Sequence, residues 1–108
     1  MSLRKTRKPR SDRKHAVYRV FNILTGEFYI GITVTNGPAV KRAVKVRFQK
    51  HVSRALVETK DWSFCSAIRA WGPECFDYEV LEVVRGRKPA HQRERELIRT
   101  LKPTLNTF

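Results

Sequence analysis

Two tyrosines, an arginine, a histidine and a glutamate stand in this chain where packing alone does not call for them. Tyr18 and Tyr29 fall in two β-prone runs, eleven residues apart, so a tight turn between the runs lets both rings share one sheet face. Arg47 and His51 are four apart in a stretch of helical period and project from one side of it. Glu94 lies on the apolar stripe of the last helical stretch, where a carboxylate has to be paired, protonated or bound to a cation. Gathered in one cleft, these groups suit hydrolysis of a phosphodiester. A carboxylate can hold Mg2+, which takes one or two protein oxygens and keeps several waters. The ion lowers the pKa of a bound water, an arginine offers planar donors to phosphate oxygens, and a tyrosine or histidine takes the water's proton. Singly, none of these residues is diagnostic. Tyrosines in strands more often pack, and Arg47 and His51 also fit a solvated helical face. Glu94 can instead pair with a later arginine on its own helix.

The elements that must position them are legible. Residues 16–23 and 28–33, rich in Val, Ile, Tyr and Phe, read as two strands of a hairpin, with Gly26 where the turn needs a positive φ. Across residues 39–56, Val40, Val44, Phe48, Val52 and Leu56 recur every four positions, which predicts a long helix. Asp61 is a fair N-cap for a second helix over 62–71, ended by Gly72 and Pro73. Residues 76–84 alternate as a third strand, with Phe76, Tyr78, Val80 and Val84 on one face and Glu82 out of pattern. Pro89 suits the first turn of a last helix over 90–101, whose face holds Ala90, Glu94, Leu97, Ile98 and Leu101. The order ββααβα predicts an α+β domain, a small three-stranded antiparallel sheet flanked by helices.

Charge points to the partner. Lys and Arg number 23 against 10 Asp and Glu, a net +13 in 108 residues. Residues 1–14 carry seven basic groups and one acid and lack apolar periodicity, so they read as a disordered arm that meets phosphates; residues 15–108 form the folded domain and are basic in their own right. Arg4, Lys5, Arg7, Lys8 and Arg10 of the arm, with Lys41, Lys45 and Lys50 of the long helix, are the expected contacts to a nucleic-acid backbone. No apolar run reaches membrane-spanning length. Cys65 and Cys75 have neither CxxC spacing nor zinc-spaced histidines, so they read as inert thiols in a reducing, cytoplasmic setting. His15 and His91 read as surface groups, and Trp62 and Trp71 as core aromatics bracketing the second helix.

From residue 16 to residue 106 the chain resembles the GIY-YIG endonuclease family. Ala16-Val17-Tyr18 stands at the first signature and Tyr29-Ile30-Gly31 is the second, unaltered. Arg47 and His51 match the family's Arg-xxx-His, Trp71-Gly72 with Phe76 and Glu82 its helix end and third strand, and Glu94, Leu97-Ile98, Pro103 and Asn106 its terminal motif. One departure is visible, Ala16-Val17 in place of Gly-Ile, and it keeps a small and a β-branched residue.

The resemblance implies a metal-dependent endonuclease that nicks DNA, double-stranded or branched, leaving a 3′-hydroxyl and a 5′-phosphate. It implies that Glu94 ligates one Mg2+ or Mn2+ and that Tyr18 is the base or positions the attacking water. His51 would assist Tyr18 as a hydrogen-bond acceptor, Arg47 would bind the scissile phosphate, and Tyr29 would help hold the water or phosphate. Gly31 would let the nucleic-acid backbone come close, and Asn106 would brace the site. Stand-alone members of homing, phage or small bacterial type are the nearest in size. No residues remain for a recognition module, so cleavage is expected to be loosely selective or guided by a homodimer or a separate targeting partner. Two rivals remain at this point. A catalytically silent nucleic-acid-binding module is opposed by the full set of polar positions. A small basic RNA-associated protein explains the charge and leaves Glu94 unexplained.

Overall fold

The computed structural model describes residues 13–35, 38–58 and 63–106. The arm residues Arg4, Lys5, Arg7, Lys8 and Arg10, the N-cap Asp61 and Trp62 lie outside the described residues. Strands β1 (Lys14–Asn22) and β2 (Phe28–Val34) form the expected hairpin. Buried Asn22 holds its turn: its Oδ1 accepts from the amides of Leu24 and Thr25 at 2.8 and 3.2 Å, and Gly26 has φ 78°. Helix α1 (Val40–Ser53) runs into a π-helical turn over Arg54–Glu58. Helix α2 (Ser63–Trp71), a 3₁₀ turn at Pro73–Cys75, β3 (Phe76–Arg85) and α3 (Arg87–Leu101) follow. The three strands make one antiparallel sheet in the order β2-β1-β3, so the α+β class and the element order stand as read from the sequence.

Register decides which side chains share a face. Tyr18 pairs with Gly31 and Val20 with Tyr29, so both tyrosines lie on one face, two positions apart along the ladder. Ala16, Tyr18 and Val20 on that face pack with Val44 and Ala55, and with Phe64, Cys65 and Ile68 of α2. The other face carries Val17 and Ile30, and α3 lies along it with Ala90 buried and Arg93 Nε 2.6 Å from Glu82 Oε2.

Four sequence expectations need correction. The third strand does not alternate throughout: Val17 pairs with Glu82 but Tyr18 with Val80, so Leu81 is an extra residue in a β-bulge. The bulge sends Glu82 and Val84 to the α3 face, which removes the anomaly of Glu82 and takes Val84 away from Phe76, Tyr78 and Val80. Leu56 is 53 % exposed, and Ala55 is the buried residue instead. A strict four-residue repeat drifts about 40° per step on a helix of 3.6 residues per turn, and the π turn widens the winding further. Finally, Trp71 is 44 % exposed at the end of α2, while His15, read as a surface group, is buried with Nδ1 2.8 Å from the Arg13 carbonyl. Among the described residues no helix is long and apolar enough to cross a membrane.

Candidate active site

The site forms where α1 crosses the edge of the sheet at β2. Tyr18 is fully buried on β1, and its ring lies over Gly31, the residue directly across the ladder. A Cβ at Gly31 would fall 2.6 Å from the Tyr18 hydroxyl oxygen and 2.7 Å from ring atoms of both Tyr18 and Tyr29. The glycine is therefore needed so that two phenols can fold over one strand. From α1, His51 places Nε2 3.1 Å from the Tyr18 hydroxyl. Arg47, one turn earlier on the same face, is close enough for its charge to act on Tyr18, Tyr29 and His51.

Aromatic contacts hold these groups. The Tyr29 ring stacks on Phe64 of α2 with centroids 4.4 Å apart and 6° between planes, and the His51 ring meets Phe64 edge-on at 4.9 Å. Phe64, which the sequence marks only as an apolar position of α2, is thus the wall against which a tyrosine and the histidine are set. The chain's last described residues close the other side. Ile30 lies opposite Arg19 at a ladder position whose N–H and C=O point away from β1. Asn106 takes up both: its Oδ1 accepts from the Ile30 amide and its Nδ2 donates to the Ile30 carbonyl, each at 2.9 Å. With Leu105 N donating to the Phe28 carbonyl at 3.1 Å, the tail covers part of the exposed strand edge. Tyr29, Arg47, His51 and Asn106 then line one cavity of about 460 Å³, together with Phe64 and Arg54. Arg54 is the site residue the sequence reading missed. Its signal was present, since it follows Arg47 by two helical turns and His51 by three residues.

Burial sets the electrostatics. It pushes the Tyr18 hydroxyl far above the usual tyrosine range, and neighbouring Tyr29 adds to the shift while Arg47 opposes it. Tyr29 moves in the same direction, by burial and then by the negative charge of Glu94. His51 is lowered to about 4 by burial, with the charges of Arg47 and Arg54 helping, so it is a neutral imidazole at neutral pH. Glu94 on α3 is pushed up by burial against the opposing pull of His91, whose Nδ1 is 3.5 Å from Oε1. That carboxylate, 18 % exposed, is under-compensated. Its charge raises the pKa of both tyrosines, which places it within electrostatic reach of them. Glu96 pairs with Arg93 at 3.1 Å and takes no part. Lys41, Lys45 and Lys50 are exposed on α1.

Phenols, a guanidinium and a neutral imidazole thus meet at one sheet edge, with the half-buried Glu94 carboxylate of α3 within electrostatic reach of both phenols but not among the residues lining the cavity. The family model described as the GIY-YIG catalytic domain matches residues 14–107. The chain therefore belongs to the GIY-YIG family and is an endonuclease with DNA as its substrate. Among solved structures, a mutant form of the catalytic domain of intron endonuclease I-TevI superimposes with a TM-score of 0.67 at 18 % identity, covering 88 % of this chain and 91 % of that one. At that identity the likeness is one of fold. No curated protein sequence matches significantly.

Proposed function

We propose that this endonuclease is divalent-metal-dependent, uses Mg2+ or Mn2+ with one ion per site, and nicks one DNA strand to leave a 3′-hydroxyl and a 5′-phosphate. The observation that carries the reading is the Tyr18–His51 hydrogen bond set beside Arg47, with the Glu94 charge acting on both tyrosines.

Glu94 fits the metal. It is a half-buried carboxylate whose ionised form is disfavoured by desolvation and only partly offset by His91 and Arg95, so a bound cation would stabilise it. Among the described residues no cluster of three or more His, Cys, Asp or Glu gathers there, which suits an ion that keeps most of its water. When bound, the ion supplies Lewis acidity and neutralises charge on the phosphate.

The protein's own groups do the rest. Tyr18 is protonated at neutral pH because burial holds its hydroxyl proton. Its O–H donates to neutral His51 Nε2, and its oxygen lone pair, sealed from solvent in the free protein, accepts a hydrogen bond from the attacking water once bound substrate opens a path to it. As the water attacks, its proton passes to the Tyr18 oxygen while the phenol proton passes to His51. No free tyrosinate has to exist, which removes the objection that a buried phenol is too weak an acid to act as a base. Arg47 aims planar donors at the scissile phosphate, and its buried Nε has no partner among the described residues. Tyr29 hydrogen-bonds the phosphate or water from the other side of Gly31. One site cuts one strand, so a double-strand break takes a second molecule, a targeting partner that holds two copies, or a second visit. The free thiols Cys65 and Cys75 agree with a cytoplasmic setting.

The test is nicking of supercoiled plasmid with and without Mg2+ or Mn2+. Open-circular product that appears only with metal, and carries a 5′-phosphate labile to phosphatase, is the expected result; metal-independent or absent nicking overturns the proposal.

A further inference from the structure

Arg47 lines two cavities at once. One is the 460 Å³ site cavity; the other, of about 710 Å³, runs along the continuation of β2 past the reach of Asn106. Its floor is Ile32 to Val34 and its wall is α1. Four cationic residues line it, Arg13, Arg42, Arg47 and Lys50, and no acidic residue does among those described. Arg42 and Lys50 are eight residues apart on α1, about 12 Å along its axis. One DNA strand advances about 3.4 Å per phosphate along the duplex axis, so this wall spans about three phosphates. Ile32 adds a backbone amide that the ladder register turns away from β1, a donor of the kind that phosphates accept.

We infer that this groove holds the phosphate backbone of the cleaved DNA strand on one side of the scissile bond, gripped by Arg13, Arg42 and Lys50 and handed to the catalytic residues at Arg47. The inference rests on the DNA-nuclease reading above and adds where the substrate lies. An extended polyanion fits better than a small anion for two reasons. The cations are strung along an open groove rather than closed around a point. And Arg13 is where the basic arm joins the fold, so five further basic residues at positions 4–10 follow on in sequence from the groove. Lys41 and Lys45, although on the same helix, do not line it. The basic contacts expected from sequence on α1 therefore divide, with Lys50 in the groove and Arg42 replacing the other two.

The experiment measures binding of the full chain to a fluorescent DNA duplex in EDTA, so that no cleavage intervenes, across a range of salt concentrations. Each phosphate contact contributes about −0.9 to the slope of log K against log salt. R42A/K50A is expected to reduce the slope by about 1.8 and K41A/K45A, an equal change of charge, by less than half as much. The conservative pair R42K/K50R is expected to keep the slope, which separates lost charge from a damaged fold. Equal reductions in the two alanine pairs, or an unchanged slope in R42A/K50A, overturn the inference. The two proposals fail separately: a protein that binds through the groove without nicking sinks the nuclease chemistry alone, and one that nicks with an unaltered slope sinks the groove alone.

Discussion

Tyr18 on β1 and His51 on α1 meet through a buried hydrogen bond of 3.1 Å that spans 33 positions of sequence. The phenol holds its proton too tightly to act as a free base, while the neutral imidazole, which lines the site cavity, can accept that proton. They act as one relay, and that has a kinetic signature. Tyr18→Phe and His51→Ala should each lower the single-turnover nicking rate by about 10²–10⁴-fold. The double variant should be little worse than the poorer single one, because groups that act as a unit are not additive. Losses that multiply would assign the two residues separate roles.

Glu94 is a liability to the metal-free fold. Since burial raises its pKa, the ionised form at neutral pH is disfavoured in the folded state, and this unfavourable contribution grows as pH rises through its titration. Glu94→Gln removes the charge while keeping the shape. The variant is expected to melt at or above the wild-type temperature in EDTA, yet to lose nicking. Wild type should gain several degrees on addition of saturating Mg2+ or Mn2+, and the Gln variant none. Scanning calorimetry of both proteins with and without metal decides it; a metal-induced rise that survives in Glu94→Gln would place the ion elsewhere.

Gly31 tests whether the two tyrosines need the space they occupy. The atoms a methyl group would strike belong to rigid tyrosines packed over the strand, and two of them, one ring carbon each of Tyr18 and Tyr29, are not removed by deleting the Tyr18 hydroxyl. Gly31→Ala should cost about 1–3 kcal/mol of stability, as overpacking does, and displace the hydroxyls enough to remove most nicking. Adding Tyr18→Phe should not restore the lost stability, because the ring carbon remains 2.7 Å from the new methyl. Urea unfolding of the single and double variants measures both effects.

How far the sequence reached follows from which forces act locally. The hairpin, the long helix as far as Ser53 and the placing of Arg47 and His51 on one side of it come from short-range period and turn chemistry, and they stand in the fold as read. Glu94 stood out because a charge on an apolar stripe is a local contradiction. The features that stayed hidden depend on where strands slide and chain ends land. Leu81 bulges where the β3 register shifts against β1, a cross-strand fact that the alternation of residues 76–84 does not announce. Phe64 is a wall of the site because α2 docks there, a tertiary fact. Asn106 became a candidate through family resemblance alone; its physical task, closing the amide and carbonyl of Ile30, exists only once β2 is an edge strand. Arg54 stood at helical spacing from Arg47 and His51, but a lone arginine in so basic a chain does not mark itself as part of a site.

His51 also ties stability to pH. Its folded-state pKa of about 4 lies below the ordinary histidine value of 6.5, so the unfolded chain takes up a proton that the folded chain refuses. The sign follows from linkage: the contribution is fully present above 6.5 and is lost as pH falls from there toward about 4, amounting to about 3 kcal/mol at the lower end. Glu94 works in the opposite sense, because its folded-state pKa is raised, and it masks part of the loss in wild type. Comparison with His51→Gln, which keeps Glu94 and removes the titrating ring, cancels that opposing contribution. Urea unfolding from about pH 7 to about pH 4 should show wild-type stability falling more steeply than that of His51→Gln across this window. Parallel pH profiles would mean that the imidazole is hydrated in solution and free to charge, and the Tyr18 relay would then lose its neutral acceptor.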